Sequence, residues 1–203
     1  MVDKLYDQLL KELEKARSPV LSYLQPGISR PIIDETLIKN NIELSIPDEV
    51  YSLYQWRNGV DDDAITSMPS GEVELFRLAT FDSLGISIQN YQGPDLQNYT
   101  WAKGLFPLFD NGLGDYYLID TKEGSDTYKM IMYHPASNPY IQGIASVFDS
   151  LDACLATVVE CYRRKAYYYL PDSPYLEIDP KLEKNLWEEM NPKSEYYKIL
   201  KNS

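Results

Sequence analysis

The chain has 203 residues, 44% apolar and 13% aromatic, enough for one packed domain with a terminal extension and too much for a disordered chain. Acidic residues outnumber basic ones 31 to 19, giving a formal net charge of −12. That balance argues against nucleic acid and anionic membrane, which are held by clustered Lys and Arg, and it suits a basic protein partner as well as plain solubility.

The first residues are charged from Asp3 onward and lack a signal-like apolar run, and no stretch is long and apolar enough to span a membrane, so the expected location is the cytoplasm. Residues 2–17 predict an amphipathic helix, with Leu5, Tyr6, Leu9, Leu13 and Ala16 on one stripe and Ser18-Pro19 ending it. A shorter helix is expected over 31–40, opened by Pro31. A third starts at Ile46-Pro47-Asp48-Glu49, buries Val50, Leu53 and Tyr54 beside Trp56, and stops at Asn58-Gly59. Residues 60–71 read as polar turns, and 72–78 alternate as a strand with one wet face. Asp82 reads as an N-cap, with Phe81 stapled onto Ile86. The segment 90–104 reads as a loop.

Residues 105–133 predict a meander: a strand at 105–109 whose Pro107 suggests a sheet edge, a turn at 110–114, a strand at 115–121, a turn at 122–126 and a strand at 128–133. A fourth strand is expected at 144–147. The strongest helix follows Phe148-Asp149-Ser150, burying Leu151, Leu155, Val158, Val159 and Tyr162 and ending in Arg163-Arg164-Lys165, where cations suit the helix dipole. Two short helical stretches, 179–190 and 193–201, form a C-terminal extension that still carries Leu182, Leu186 and Trp187.

Catalytic and metal-binding patterns are scarce. The one histidine is His134, and Cys154 and Cys161 share a helix roughly 10 Å apart along its axis, too far for a disulfide. Asp115 and Asp120 are an odd number of residues apart on one strand, so they point to opposite faces. Asp110-Asn111-Gly112 has Thr121 where a calcium loop needs a carboxylate. These readings predict no enzyme, no cofactor and no metal. The distinctive polar feature is Asp61-Asp62-Asp63, followed by Glu72 and Glu74 with no base between Arg57 and Arg77. With Asp110 and Asn111 these acids are the candidate partner-binding residues, since a negative patch speeds encounter with a basic protein.

Three segments in order resemble the SUKH superfamily (Smi/Knr type). They are Ile46-Pro47 through Trp56-Arg57-Asn58-Gly59; Leu105-Phe106-Pro107-Leu108-Phe109 with Asn111-Gly112-Leu113-Gly114-Asp115 and the trailing Asp120; and Val147-Phe148-Asp149-Ser150-Leu151. The resemblance covers roughly residues 30–165 and makes Pro47, Trp56, Asn58, Gly59, Gly112, Gly114, Asp115, Asp120 and Phe148 the family-motif positions. It implies an α+β fold with a mostly antiparallel sheet of four to six strands flanked by N- and C-terminal helices. The order of elements along the chain divides it into a domain over residues 1–170 and a C-terminal helical extension over 171–203 packed on it, the extension lying outside the family's common core. In function the resemblance implies a cytoplasmic immunity protein that neutralises a cognate nuclease or deaminase toxin, the alternative being a regulatory or scaffold protein.

Overall fold

The computed structural model describes residues 2–68, 70–77, 79–93, 104–135 and 143–196. Among them are seven α-helices and ten strands. The loop expected over 90–104 starts later, because a helix runs to Gln92, and residues 94–103 and the end of the second C-terminal helix, 197–201, lie outside the described residues.

Helix α1 (Val2–Ala16) closes where Arg17 takes a left-handed φ of 56° and Ser18 N–H reaches Leu13 C=O. Strand β1 (Leu24–Pro26), α2 (Arg30–Lys39) and α3 (Asp48–Trp56) follow, with Pro47 as the N-cap of α3. The chain reaches Asn58-Gly59 already out of the helix that this pair was expected to stop. It leaves α3 at Trp56 and becomes β2 (Arg57–Val60), antiparallel to β1. Two steps on β1 match three on β2, a bulge eased by the left-handed conformation of Gly59 (φ 75°).

The polar stretch expected as turns contains a helix, α4 (Asp62–Ser67), capped by Asp61. Strand β3 (Glu74–Phe76) is buried at every position, without the wet face alternation predicted, because Tyr162 and Trp187 cover it: Tyr162 O–H donates to Leu75 C=O and Trp187 packs on Phe76. Phe81 is drawn into β4 (Ala79–Phe81), and Ser83, not Asp82, caps α5 (Leu84–Gln92) by accepting from Ile86 N–H.

Strands β5 (Leu105–Asp110), β6 (Asp115–Asp120), β7 (Ile131–Pro135) and β8 (Ala145–Phe148) complete a six-stranded antiparallel sheet in the order β3-β4-β5-β6-β7-β8. Pro107 sits in an interior strand rather than at an edge. The register shifts between Pro107 and Phe109, so a bulge accommodates its missing N–H. Strand β7 begins later than expected, after a turn closed by Met130 N–H to Thr127 C=O with Lys129 at φ 68°.

Helix α6 (Leu151–Arg163) packs along α1 and brings Cys154, Leu155, Val158 and Tyr162 into the core. One continuous cluster joins Leu13, Leu53, Tyr54, Phe81, Phe109 and Phe148. The last part of the chain adds a short ribbon, β9 (Tyr167–Tyr168) with β10 (Glu177–Ile178), and α7 (Pro180–Met190). Trp187 lies 4.5 Å from the Phe148 ring, and buried Glu183 accepts from Arg77 at 2.6 Å and from Tyr167 O–H at 2.7 Å. Beyond α7, Asn191 donates to Thr157, and Glu195 N–H reaches Ser146 C=O along the outer side of β8.

Candidate functional site

The acidic segments are placed by a relay of short-range hydrogen bonds. Leu84 N–H at the start of α5 donates to Asn58 Oδ1, Asn58 Nδ2 donates to Gln25, and Gln25 Nε2 donates to Asp61. Asp61 also accepts from the backbone N–H groups of Asp63 and Ala64, the capping geometry that opens α4. The bond to Gln25 and these two backbone donors hold the Asp61 carboxyl below its usual range, so it stays charged. Asp62 and Asp63 are exposed at the first turn.

Gly59 fixes the distance between β2 and the start of α5. A Cβ there would stand 2.3 Å from Ser83 N and 2.4 Å from Asp82 C, so only glycine permits the approach. The approach buries Asp82 completely. Asn90 on α5 donates through one amide nitrogen to both Asp82 (3.3 Å) and Asp110 (3.0 Å), tying α5 to the end of β5. Burial pushes Asp82 well above the usual carboxylate range. Asp110 is the second cause and Asp62 adds to it, while Asn90 pulls the other way. Asp110 is also raised by burial, against donation from Gly112 N–H and Asn90.

The β5–β6 turn is closed by its own polar side chains. Gly112 N–H donates to Asp110, Leu113 N–H and Asp115 N–H donate to Asn111 Oδ1, and Asn111 Nδ2 donates to Asp115. Gly112 and Gly114 take the left-handed φ values this turn requires, 68° and 96°. Leu113 projects from it, 77% exposed. The structure therefore brings the Asp61–Asp63 segment and the Asp110–Asn111 turn together around Asp82 and Asn90. Glu72 is reached by Tyr23 O–H at 3.5 Å, while Glu74 is buried in β3.

The other motif residues hold the frame. Trp56 stacks between Tyr6 and Phe81, at 4.8 and 6.4 Å. Asp115 accepts from Tyr133 O–H, and Asp120 accepts from Lys122 N–H, Ser125 and Thr127, pinning the loop before β7. Phe148 is wholly buried. Asp120, Tyr117 and His134 do not converge: Asp120 ends β6 at the far end from Tyr116, which pairs with His134, and Tyr117 belongs to the core cluster. Burial holds the His134 imidazole below its usual range. Among the described residues no three His, Cys, Asp or Glu side chains are grouped to hold a metal ion, and no helix is long and apolar enough to cross a membrane.

Sequence reasoning identified the exposed Asp62 and Asp63, took buried Glu74 and half-buried Asp110 for surface contacts, and missed Asp82, Asn90 and Gln25, which join the segments. Asp82 looked like a helix cap because Asp and Ser both cap well. Only the closure of β4 on β5 turns it inward.

Residues 36–156 match the model of the SMI1/KNR4 family (SUKH-1). No curated protein matches the chain.

Proposed function

The chain belongs to the SMI1/KNR4 family (SUKH-1), and from that premise we propose that it is an immunity protein acting in the cytoplasm. It binds and neutralises a cognate toxin domain of nuclease or deaminase type by stoichiometric capture, not by catalysis. In this reading residues 1–170 form the binding domain and 171–203 a packed extension. The observation that carries the proposal is the gathering of Asp61–Asp63 and Asp110–Asn111 on one side of the fold, beside the buried Asp82 that Asn90 ties to Asp110. A negative face of this kind complements a protein whose own site is built for phosphate. Asp62, Asp63, Asp110 and Asn111 supply the contacts. Asp61 and Glu72 add charge at the rim, and Glu74, buried in β3, is not a contact.

The test is co-purification from native cells followed by titration of the captured partner with an Asp61→Asn, Asp62→Asn, Asp63→Asn variant. Asn caps helices as well as Asp does, so α4 survives. Affinity is expected to fall at least about tenfold, with a flatter dependence on salt. An unchanged affinity and salt slope would discard this face. Recovery of a non-toxin regulatory partner would favour the scaffold branch of the family.

A further inference from the structure

A groove of about 550 Å³ lies where the ends of α1 and α6 meet β9. Tyr167, Tyr168 and Tyr169 line one wall. The groove borders β9 and the residue after it, and neither β10 residue lines it, so it lies on the side of β9 away from its partner strand. Strand β9 pairs with β10 on one side only, and among the described residues no strand occupies its other side. Tyr167 is buried, its hydroxyl donating to Glu183, so the aromatic wall is Tyr168 with Tyr169, whose hydroxyl is engaged by Ser18.

The other wall is cationic. Lys15, Arg163 and Lys165 line it, against the single acid Glu12, which is buried and engaged by Lys15 at 2.8 Å and Arg163 at 3.7 Å. Arg163 also pairs with Glu160. Lys165 makes no ion pair among the described residues, and it stands one residue past the Arg164 cap of α6 at φ 61°. On a chain of net charge −12 this rim runs against the overall sign, so it discriminates in favour of acidic ligands.

We propose that this groove takes an extended acidic segment of a partner protein, added to β9 as a third strand. Backbone pairing to β9 supplies the frame, carboxylates meet Lys15, Arg163 and Lys165, and alternate apolar side chains lie on Tyr168 and Tyr169. Strand addition of this kind draws affinity from main-chain bonds and specificity from alternate side chains. The site is separate from the acidic face and does not depend on the immunity reading.

The probe is a fluorescein-labelled peptide of about eight residues alternating glutamate and valine, a length that spans one ordinary strand. It is titrated into the full chain by anisotropy, with backbone amide shifts followed by NMR. Saturable binding that shifts the amides of Tyr167–Tyr169 is expected. A Lys15→Glu, Lys165→Glu variant with an unchanged melting temperature should weaken binding about tenfold or more. Methylation of alternate peptide nitrogens should abolish it. The proposal is overturned if the peptide does not bind, if the methylated or lysine-for-glutamate peptide binds equally well, or if inorganic pyrophosphate displaces the peptide from the same amides. The last result would make the groove a simple anion site.

Discussion

Gly59 and Asp82 set the geometry of the acidic face, and each makes a separate prediction. Gly59 has a left-handed φ, and its missing Cβ leaves room for the Asp82–Ser83 backbone. Gly59→Ala adds both a conformational penalty and a backbone clash, so it should lower stability by about 2–4 kcal/mol, read as a shift in the urea midpoint at constant slope. Asp82 acts through protonation. Its folded-state affinity for a proton is raised by burial and by Asp110, so the folded chain binds more protons than the unfolded one in the window above the ordinary carboxylate range. The stability this confers is complete below that range and is lost as pH rises toward the shifted value. Asp82→Asn imitates the protonated carboxyl. The variant should therefore lose less stability than the parent between pH 5 and pH 8, measured by urea denaturation at each pH. An equal loss in both proteins would place the proton elsewhere.

At the scale of elements, the stability of the C-terminal helix rests on Trp187. Its ring fills the space against Phe148 and Phe76, and the same helix brings Glu183 to Arg77 and Tyr167. Trp187→Ala should cost about 3–5 kcal/mol by calorimetry or denaturant, the range for emptying a buried aromatic site. Such a loss would show that residues beyond Tyr169 are needed to keep the sheet's inner face covered. Helices α1 and α6 were legible in the sequence because their apolar stripes run over several turns, as at Leu9-Leu13 and Leu151-Leu155-Val158. The short α4 was not, since six residues carry no period and Asp61 caps it only in company with Gln25. Strand β4 was hidden for a similar reason. Ala79-Thr80-Phe81 is too short to signal a strand, and it pairs because β5 lies beside it. Asp62 and Asp63 could be read as exposed charges, but the burial of Glu74 in β3 could not be foreseen. The meeting of the site's acids through Asn90 and Asp82 depends on contacts between distant segments, which local patterns do not encode.

For the whole molecule, charge and topology divide the surface. The acidic face lies around α4 and the β5–β6 turn, while the cationic, aromatic groove lies at the joint of α1, α6 and β9. On the two proposals, partners of opposite charge would land at different places, and salt should weaken both encounters. The meander also leaves its sheet with two open sides, and both are guarded. Tyr162 O–H takes a carbonyl of β3, while Ser194 and Glu195 reach over to Ser146 on β8.

The guard on β8 has a consequence for how the chain behaves when shortened. A polypeptide ending at Asn191 keeps the helix that covers the core but bares the hydrogen-bonding groups of Ser146, and an uncovered strand margin is a template for another copy of itself. Clipping there would therefore show first as self-association of folded molecules, ahead of any loss of helix or sheet.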